Sequence, residues 1–340
     1  MIQVQNITKS FDGFRALDDL SFTVPHGAVY GLVGPNGAGK STVLRCITGI
    51  YRPDAGLVSV GGLPVWENPA VKRRMAFIPD DLSAHAGDSI REMAGLMQKL
   101  YPRFDLSRYG QLREVFQLDE KKPLRRFSKG MQKQAAFWLA ICAKPDYLIL
   151  DEPVDGLDPV MRRQIWSIIL EDVAAHETTV LVSSHNLREL EDVCDHVGVM
   201  HHGKLLLERS LSDLQDNMVK VQLVTEYPIP DALDVVHSEQ VGRIQTLIVR
   251  GNQDTVQELL AQCHPMLCDL LPLSLEEIFI YELGGVDYDV KNIVLSAGAL
   301  PARPEKDLSG LAGLCGAVDP VPAAEHSQPG AVGPEGSRHP

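Results

Sequence analysis

A glycine-rich loop between an apolar run and a helical segment is the feature that most constrains the fold of this chain. The run at residues 28–33 reads AVYGLV, and its unbroken hydrophobicity indicates a strand covered on both faces. The loop fits GxxxxGK[ST], in which backbone N–H groups and the next helix N-terminus cradle phosphates. We expect Lys40 to reach the β- and γ-phosphates and the Ser41 hydroxyl to bind Mg²⁺. The residues predicted to hold the nucleotide are Gly34, Pro35, Asn36, Gly37, Ala38, Gly39, Lys40, Ser41 and Thr42.

Two carboxylates at the end of a second apolar run are candidates for hydrolysis chemistry. The run YLIL leads into Asp151 and Glu152, and ligands of open α/β sheets bind beyond the carboxyl ends of strands. We expect Asp151 to hold Mg²⁺ through water. Glu152 is the candidate general base that polarises the water attacking the γ-phosphorus. Together with the phosphate loop, this pair predicts a nucleoside triphosphatase.

Strand-like and helical segments alternate along most of the chain. Strand patterns at 2–7 and 20–24 precede the loop, and the pattern turns helical from about 85 to 145. Further helices are predicted at 160–176 and 186–194, with a strand between them. This alternation predicts a mainly parallel sheet with helices on its faces.

A short segment about twenty residues before Asp151 makes the prediction narrower. It reads FSKGMQ and opens a helix. Here the sequence resembles the ATP-binding subunits of ABC transporters, whose signature reads LSGGQ, and Ser128, Gly130 and Gln132 are retained. The resemblance implies that these three residues contact ATP held by another subunit. It also implies an α/β P-loop fold of ABC type, with an antiparallel β subdomain and a helical subdomain carrying the signature.

Three more residues match family motifs in the family's order. Phe11 matches the aromatic that stacks on adenine, with a core phenylalanine as the alternative. Asp158 lies in the GLD sequence that matches the D-loop, and His185 matches the switch histidine at the γ-phosphate. The resemblance therefore implies a complete set of ATP-handling motifs within residues 1–215.

One position departs from the family pattern. Where the family usually carries glutamine after the strand reading MAFIP, this chain has Asp80. A carboxylate is still able to reach Mg²⁺ through water, so Asp80 joins Ser41 and Asp151 as a predicted metal ligand. In the family this loop faces the membrane partner, so the change bears on coupling more than on ATP binding.

The chain divides into three parts by pattern. We predict an ABC ATP-binding domain at 1–215, a small α+β domain at 219–285 and a disordered tail at 297–340. Half of the tail is Ala, Gly or Pro, which leaves too little apolar surface for a core. The segment SLEEIFIYELGG resembles the C-terminal segment of drug- and antibiotic-exporter ATPases, and it also fits an amphipathic helix packing back on the domain.

Charge and hydropathy limit the partners. Arg and Lys number 32 against 45 Asp and Glu, a formal charge of −13, which disfavours nucleic-acid binding through phosphates. No run approaches the ~20 apolar residues of a membrane span, and the first residues lack a secretory pattern. We therefore expect a cytoplasmic protein. The resemblance to ABC transporter subunits implies that it is peripheral on the inner face of the cell membrane, bound to a separate permease subunit.

The resemblance implies a mechanism. Two ATP-binding subunits, as a homodimer or a heterodimer, close head to tail over two ATP with Mg²⁺ and open after hydrolysis. An exporter is the leading hypothesis. The alternatives are a soluble ABC ATPase acting on ribosomes or DNA, and a non-hydrolysing regulatory module, which the presence of Glu152 and His185 disfavours.

Overall fold

Three β-sheets organise the fold of this protein, whose computed structural model describes residues 1–82 and 87–282. The strands are β1 (Ile2–Phe11), β2 (Phe14–Val24), β3 (Val29–Val33), β4 (Ala55–Val60), β5 (Leu63–Pro64), β6 (Met75–Ile78), β7 (Tyr147–Asp151), β8 (Thr179–Ser184), β9 (His196–His201), β10 (Lys204–Ser210), β11 (Met218–Val224), β12 (Asp234–Val241), β13 (Ile244–Arg250) and β14 (Leu267–Leu271).

Helices connect the strands and cover the sheets. They are α1 (Lys40–Ile47), α2 (Pro69–Lys72), α3 (Ile90–Leu100), α4 (Leu106–Phe116), α5 (Lys129–Cys142), α6 (Pro159–His176), α7 (Leu211–Asp216), α8 (Gln253–Ala261) and α9 (Leu275–Glu282). Among these described helices, none is both long enough and apolar enough to cross a lipid bilayer.

The central sheet has six strands in the order β10-β9-β3-β8-β7-β6. All neighbours are parallel except β10, which runs antiparallel to β9. Strands β3, β7 and β8 are buried at every residue, as expected for strands covered on both faces. Their carboxyl ends meet at one edge, where Val33 pairs with Ser184 and Asp151 with Ser183. The predicted parallel α/β sheet is confirmed, and its register gathers the candidate site at this edge.

An antiparallel sheet with the order β2-β1-β4-β5 packs on α1 through a shared apolar core. The strands predicted at 2–7 and 20–24 are longer than expected, because they continue into one hairpin. Phe11 and Phe14 pair across its end, with Asp12 and Gly13 between them at positive φ. The predicted antiparallel subdomain is confirmed.

Three α-helices fill the described part of the segment between β6 and β7. Helix α3 begins with a capping box, in which the Ser89 and Glu92 side chains bond each other's backbone N–H groups. Asp105 caps α4 and Ser128 caps α5. Trp138 of α5 is fully buried in the core shared by this helical segment and the central sheet. The helical pattern predicted for about 85–145 is confirmed within the described residues.

A third, antiparallel sheet follows, in the order β12-β13-β11-β14. Helix α8 packs on it around a small core of its own. Helix α9 instead places Leu275, Ile278 and Phe279 in the main core beneath the central sheet. The division at 215–219 stays a prediction, since the last helix shares the core of the first part. The tail at 297–340 lies outside the described residues.

The prediction of a helix at 186–194 is wrong. The structure has a 3-10 turn at Leu187–Glu189 followed by irregular turns. Polar side chains in this segment bond elsewhere: Glu189 accepts from the Ser184 hydroxyl, and Glu191 accepts from the Leu275 backbone N–H. These tertiary bonds and the burial of Leu190 replace a regular helix.

Candidate nucleotide-binding and hydrolysis site

The loop between β3 and α1 wraps around the Lys40 side chain. Lys40 is only 5% exposed, and its Nζ donates to the carbonyl oxygens of Gly34, at 2.6 Å, and Pro35, at 3.2 Å. A Cβ on Gly34 would lie 2.3 Å from the Met200 carbonyl oxygen, and Gly39 has φ of +103°. The loop conformation therefore requires glycine at both positions. Its backbone and the α1 N-terminus form an anion cradle.

The Asp151 carboxylate lies next to the Ser41 hydroxyl. Asp151 is 1% exposed, and its Oδ1 accepts hydrogen bonds from Ser41 Oγ at 3.1 Å and Ser183 Oγ at 2.7 Å. These residues come from the start of α1 and the ends of β7 and β8, which the parallel register brings together. Hydroxyl and carboxylate oxygens are ligands that Mg²⁺ accepts, usually with phosphate and water completing its shell.

Glu152 occupies a strained backbone conformation directly after β7. Its φ is +45°, in the left-handed region that non-glycine residues rarely adopt. Its backbone N–H donates to Ser183 Oγ at 3.0 Å. Oε2 lies 2.8 Å from His185 Nδ1 and also accepts the His185 backbone N–H. Oε1 is buried, lies 3.3 Å from Lys40 Nζ and accepts no hydrogen bond within the described part of the chain.

A cavity of about 330 Å³ opens beside the loop. Phe11 lines its mouth and is 39% exposed, with its ring centre 5.3 Å from that of Tyr51. The core-phenylalanine alternative is therefore wrong for Phe11. Phe14 also lines the mouth and is 66% exposed. The remaining lining residues are Ala16, Pro35, Asn36, Gly37, Ala38, Gly39, Lys40, Ser41, Thr42, Asp80 and Glu152.

Asp80 lines this cavity, but its carboxylate is paired with a lysine. Its Oδ1 lies 3.3 Å from Lys133 Nζ, and the same Nζ donates to the Glu152 carbonyl oxygen at 2.6 Å. Lys133 belongs to α5 and is 4% exposed. The structure thus brings Asp80 to the site and adds a buried lysine between Asp80 and Glu152.

The signature residues form a second group. The Ser128 hydroxyl accepts the Met131 N–H as the cap of α5, and a Cβ on Gly130 would lie 3.1 Å from the Gly156 carbonyl oxygen. Asp158 caps α6 by accepting the N–H groups of the second and third helical residues at 3.0 Å each. In the described part of the chain, the residues lining the cavity include none of Ser128, Gly130 and Asp158.

Gln132, the third of the signature residues, lines a pocket other than the nucleotide cavity. Its side chain donates to the Phe127 carbonyl oxygen at 3.1 Å, and it lines an apolar groove between β6, α3 and α5. Within the described residues, Gln132 therefore lines this groove and not the nucleotide cavity.

Three residues at the site were not predicted from the sequence. Ser183 was hidden inside an apolar strand, although a hydroxyl two residues before His185 is a signal. Phe14 repeats the aromatic of Phe11 across the hairpin. Lys133 had no local signal, because only the fold brings α5 to the loop after β6.

Comparison with known proteins agrees with this geometry. Residues 17–155 match the family described as ABC transporter. The chain is 29% identical to the ABC transporter ATP-binding protein YtrB of Bacillus subtilis (84% of this chain, 99% of the relative). It is 30% identical to the Nod factor export ATP-binding protein I of Neorhizobium galegae (82% and 84%). A solved structure of an ATP-binding subunit of an ABC transporter matches with a TM-score of 0.58 and 27% identity, over 63% of this chain and 92% of that one. The chain belongs to the ATP-binding proteins of the ABC transporter family.

Proposed function

We propose that this protein hydrolyses ATP with Mg²⁺ between two ATP-binding subunits and thereby powers export through a separate membrane permease. It would act as a peripheral protein on the cytoplasmic face of the cell membrane. The observation that carries the proposal is the position of the Glu152 carboxylate, between Lys40 and His185 at the phosphate loop. Export is supported by the name of the Nod factor export relative.

The surroundings of Glu152 support its role as general base. His185 holds Oε2, whereas Oε1 is buried and retains its acceptor capacity beside Lys40. Phosphate oxygens of ATP would replace the Gly34 and Pro35 carbonyls as acceptors for Lys40. Oε1 is then the oxygen available to accept a proton from the attacking water.

The oxygen donors at the site fit Mg²⁺. Ser41 Oγ and the Asp151 carboxylate lie 3.1 Å apart and would hold the ion. When bound, Mg²⁺ supplies charge neutralisation at the β- and γ-phosphates. Ser183 keeps the Asp151 carboxylate oriented through its 2.7 Å hydrogen bond.

The separation of the two groups of residues supports a head-to-tail dimer. Ser128 and Gly130 lie at the start of α5, and within the described residues neither of them lines the cavity that holds Lys40. A second subunit is needed to bring a signature helix N-terminus to the γ-phosphate, where its N–H groups would stabilise negative charge. Asp158 follows Gly156, whose carbonyl oxygen lies next to Gly130 of the signature. Asp158 would therefore face the partner subunit too.

The apolar groove supports a protein partner next to this site. Its volume is about 440 Å³, and its walls include Met93, Leu96, Met97 and Leu100 of α3. Leu96 and Leu100 are 45% and 51% exposed. An amphipathic helix lays its apolar face into such a groove. We propose that a cytoplasmic segment of the permease occupies the groove, because the groove adjoins the nucleotide cavity. Pro79 lines the groove, and the next residue, Asp80, lines the nucleotide cavity.

The substitution Glu152→Gln tests the proposed chemistry. Glutamine keeps the size of the side chain but cannot accept the proton, so turnover should fall by about a hundredfold or more. ATP affinity should stay within about threefold, since Lys40 and the loop are intact. The variant should then accumulate as an ATP-bound dimer in size-exclusion chromatography.

A matched control is Glu114→Gln, which removes an exposed carboxylate on α4. That variant should hydrolyse ATP at the rate of the unaltered protein and remain monomeric after turnover. Normal turnover in the Glu152 variant would show that another group is the base, and the assignment would be withdrawn.

A further inference from the structure

Lys133 is buried and its charge is shared between two oxygen acceptors. Its side chain is 5% exposed, with Nζ 2.6 Å from the Glu152 carbonyl oxygen and 3.3 Å from Asp80 Oδ1. A buried ammonium is costly unless it is paired and hydrogen-bonded. The Asp80 side chain is 58% exposed, so the lysine reaches out of α5 to the edge of the nucleotide cavity. Lys133 itself does not line that cavity.

The acceptor on Glu152 is its backbone, and that backbone is strained. With φ of +45°, Glu152 holds its conformation only if neighbouring groups fix it. Ser183 Oγ accepts its N–H at 3.0 Å on one side. On the other side, the Lys133 ammonium donates to its carbonyl, which otherwise receives a long 3.4 Å bond from the Asp155 N–H. Lys133 therefore provides the short hydrogen bond that orients this peptide unit.

We propose that Lys133 is a positioning residue for the catalytic carboxylate and that Asp80 is its counter-ion. The inference rests on the proposed function, because it concerns the same Glu152. Lys133 fixes the peptide unit of Glu152, so that the carboxylate stays between Lys40 and His185. Asp80 neutralises the ammonium and keeps it directed at the carbonyl. In this assignment the aspartate serves Lys133 and does not bind Mg²⁺.

The first test is Lys133→Met, which keeps the length and removes the charge. Misplacing Glu152 should lower kcat by about tenfold to a hundredfold, while ATP affinity changes less than about threefold. Lys133→Arg keeps a buried cation with N–H donors and should recover a large part of the rate. The matched control is Lys144→Met, which breaks the 2.6 Å ion pair with Asp105 at the other end of α5 and should leave kcat unchanged.

The second test separates the two roles of Asp80. If Asp80 acts through Lys133, Asp80→Asn lowers kcat, and the double variant with Lys133→Met is no slower than Lys133→Met alone. The Mg²⁺ concentration for half-maximal rate should be the same with and without Asp80→Asn. An increase of tenfold in that concentration would instead make Asp80 a metal ligand and overturn its assignment as counter-ion.

Two results with Lys133→Met would contradict a positioning role for this lysine. Unchanged kcat in Lys133→Met would overturn the proposal, as would equal losses of kcat and ATP affinity. If Lys133→Met melts too early to assay, Lys133→Arg and Asp80→Asn supply the same split between kcat and affinity. The unaltered protein is assayed in parallel, so a chain that hydrolyses no ATP at all would instead refute the proposed function.

Discussion

Phe11 provides a test of nucleotide recognition at the level of one residue. It lies at the end of the β1–β2 hairpin, where it lines the cavity mouth and packs edge-on against Tyr51. Stacking of an aromatic ring on a base contributes about 1–3 kcal/mol. We therefore expect Phe11→Ala to weaken ATP binding by about fivefold to a hundredfold, with little change in kcat. Equilibrium titration with a fluorescent ATP analogue and steady-state kinetics would measure both.

Two variants control for loss of hairpin structure. Phe11→Tyr retains the ring and should bind ATP as the unaltered protein does. Phe14→Ala removes the neighbouring, more exposed ring at the same mouth. If Phe14→Ala costs more affinity than Phe11→Ala, adenine stacks on Phe14 and the assignment by motif is wrong.

At this scale the sequence predicts residues whose spacing is local and misses those joined by the fold. Lys40 and Ser41 are neighbours in one loop, so a pattern of eight residues identifies them. Lys133 contacts Asp80 across 53 residues of sequence. Nothing in either local sequence shows that contact. The departure at Asp80 is visible in the sequence, whereas its pairing with Lys133 depends on the fold.

Strands and helices also divide into those predictable from local sequence and those that depend on tertiary contacts. Strands β3 and β7 were predictable because a run of apolar residues describes a strand buried on both faces. Strand β12 was missed, since its residues are mostly exposed and polar. The segment 186–194 has helix-forming residues, yet tertiary hydrogen bonds of Glu189 and Glu191 outweigh that propensity.

Helix α9 connects the C-terminal part of the chain to the segment that follows His185. It packs on the turn Leu187–Glu189, and Glu276 Oε2 accepts from Arg188 Nε and Nη2 at 3.0 and 2.8 Å. Phe279 is fully buried in the core shared with the central sheet. The predicted packing of SLEEIF back onto the domain is confirmed for the described residues. We call residues 1–215, which carry the ATP-handling motifs, the catalytic part of the chain. The C-terminal sheet is thereby attached to the catalytic part through a helix and a common core.

Phe279→Ala tests whether this attachment stabilises the whole fold. Deleting a buried phenylalanine side chain costs about 3–5 kcal/mol of unfolding free energy. All three tryptophans precede residue 170, so their fluorescence reports the catalytic part alone. We expect urea unfolding followed by tryptophan fluorescence to shift to lower urea in this variant. The shift reflects the loss of packing beneath the central sheet.

Leu260→Ala is the matched comparison, because Leu260 lies in the small core between α8 and the third sheet. It should shift the fluorescence transition less than Phe279→Ala does. An unchanged fluorescence transition in Phe279→Ala would mean that residues 219–285 fold independently, and the predicted domain boundary at 215–219 would be supported.

For the whole molecule, the arrangement of the two groups of motif residues is what the proposed dimer of ATP-binding subunits requires. Lys40 and Glu152 line the nucleotide cavity, whereas the helix N-terminus with Ser128 and Gly130 lies beside the Gly156 turn and, within the described residues, does not line that cavity. In the proposed mechanism, ATP binding between two ATP-binding subunits would join these groups, and hydrolysis would separate them. Energy from ATP would thus be converted into relative motion of the subunits, which a membrane partner would use.

The apolar groove is the surface through which we expect that motion to reach the membrane. Leu100→Asp places a charge on its exposed wall, and burying an unpaired carboxylate against an apolar partner is unfavourable. We expect recovery of the permease to fall about tenfold or more, corresponding to ~1.4 kcal/mol or more of binding free energy. The measurement is an affinity pull-down of tagged protein from gently solubilised membranes, with partners identified by mass.

The control is Leu106→Asp, which alters an exposed leucine at the start of α4 that does not line the groove. It should recover the permease as fully as the unaltered chain does. ATP turnover of both purified variants should stay within about twofold of normal, because neither side chain lines the nucleotide cavity. Equal recovery with both variants would exclude the groove as the docking surface. Recovery of ribosomal proteins in place of a very apolar, multi-span partner would refute the export proposal and leave an ABC ATPase that acts away from membranes.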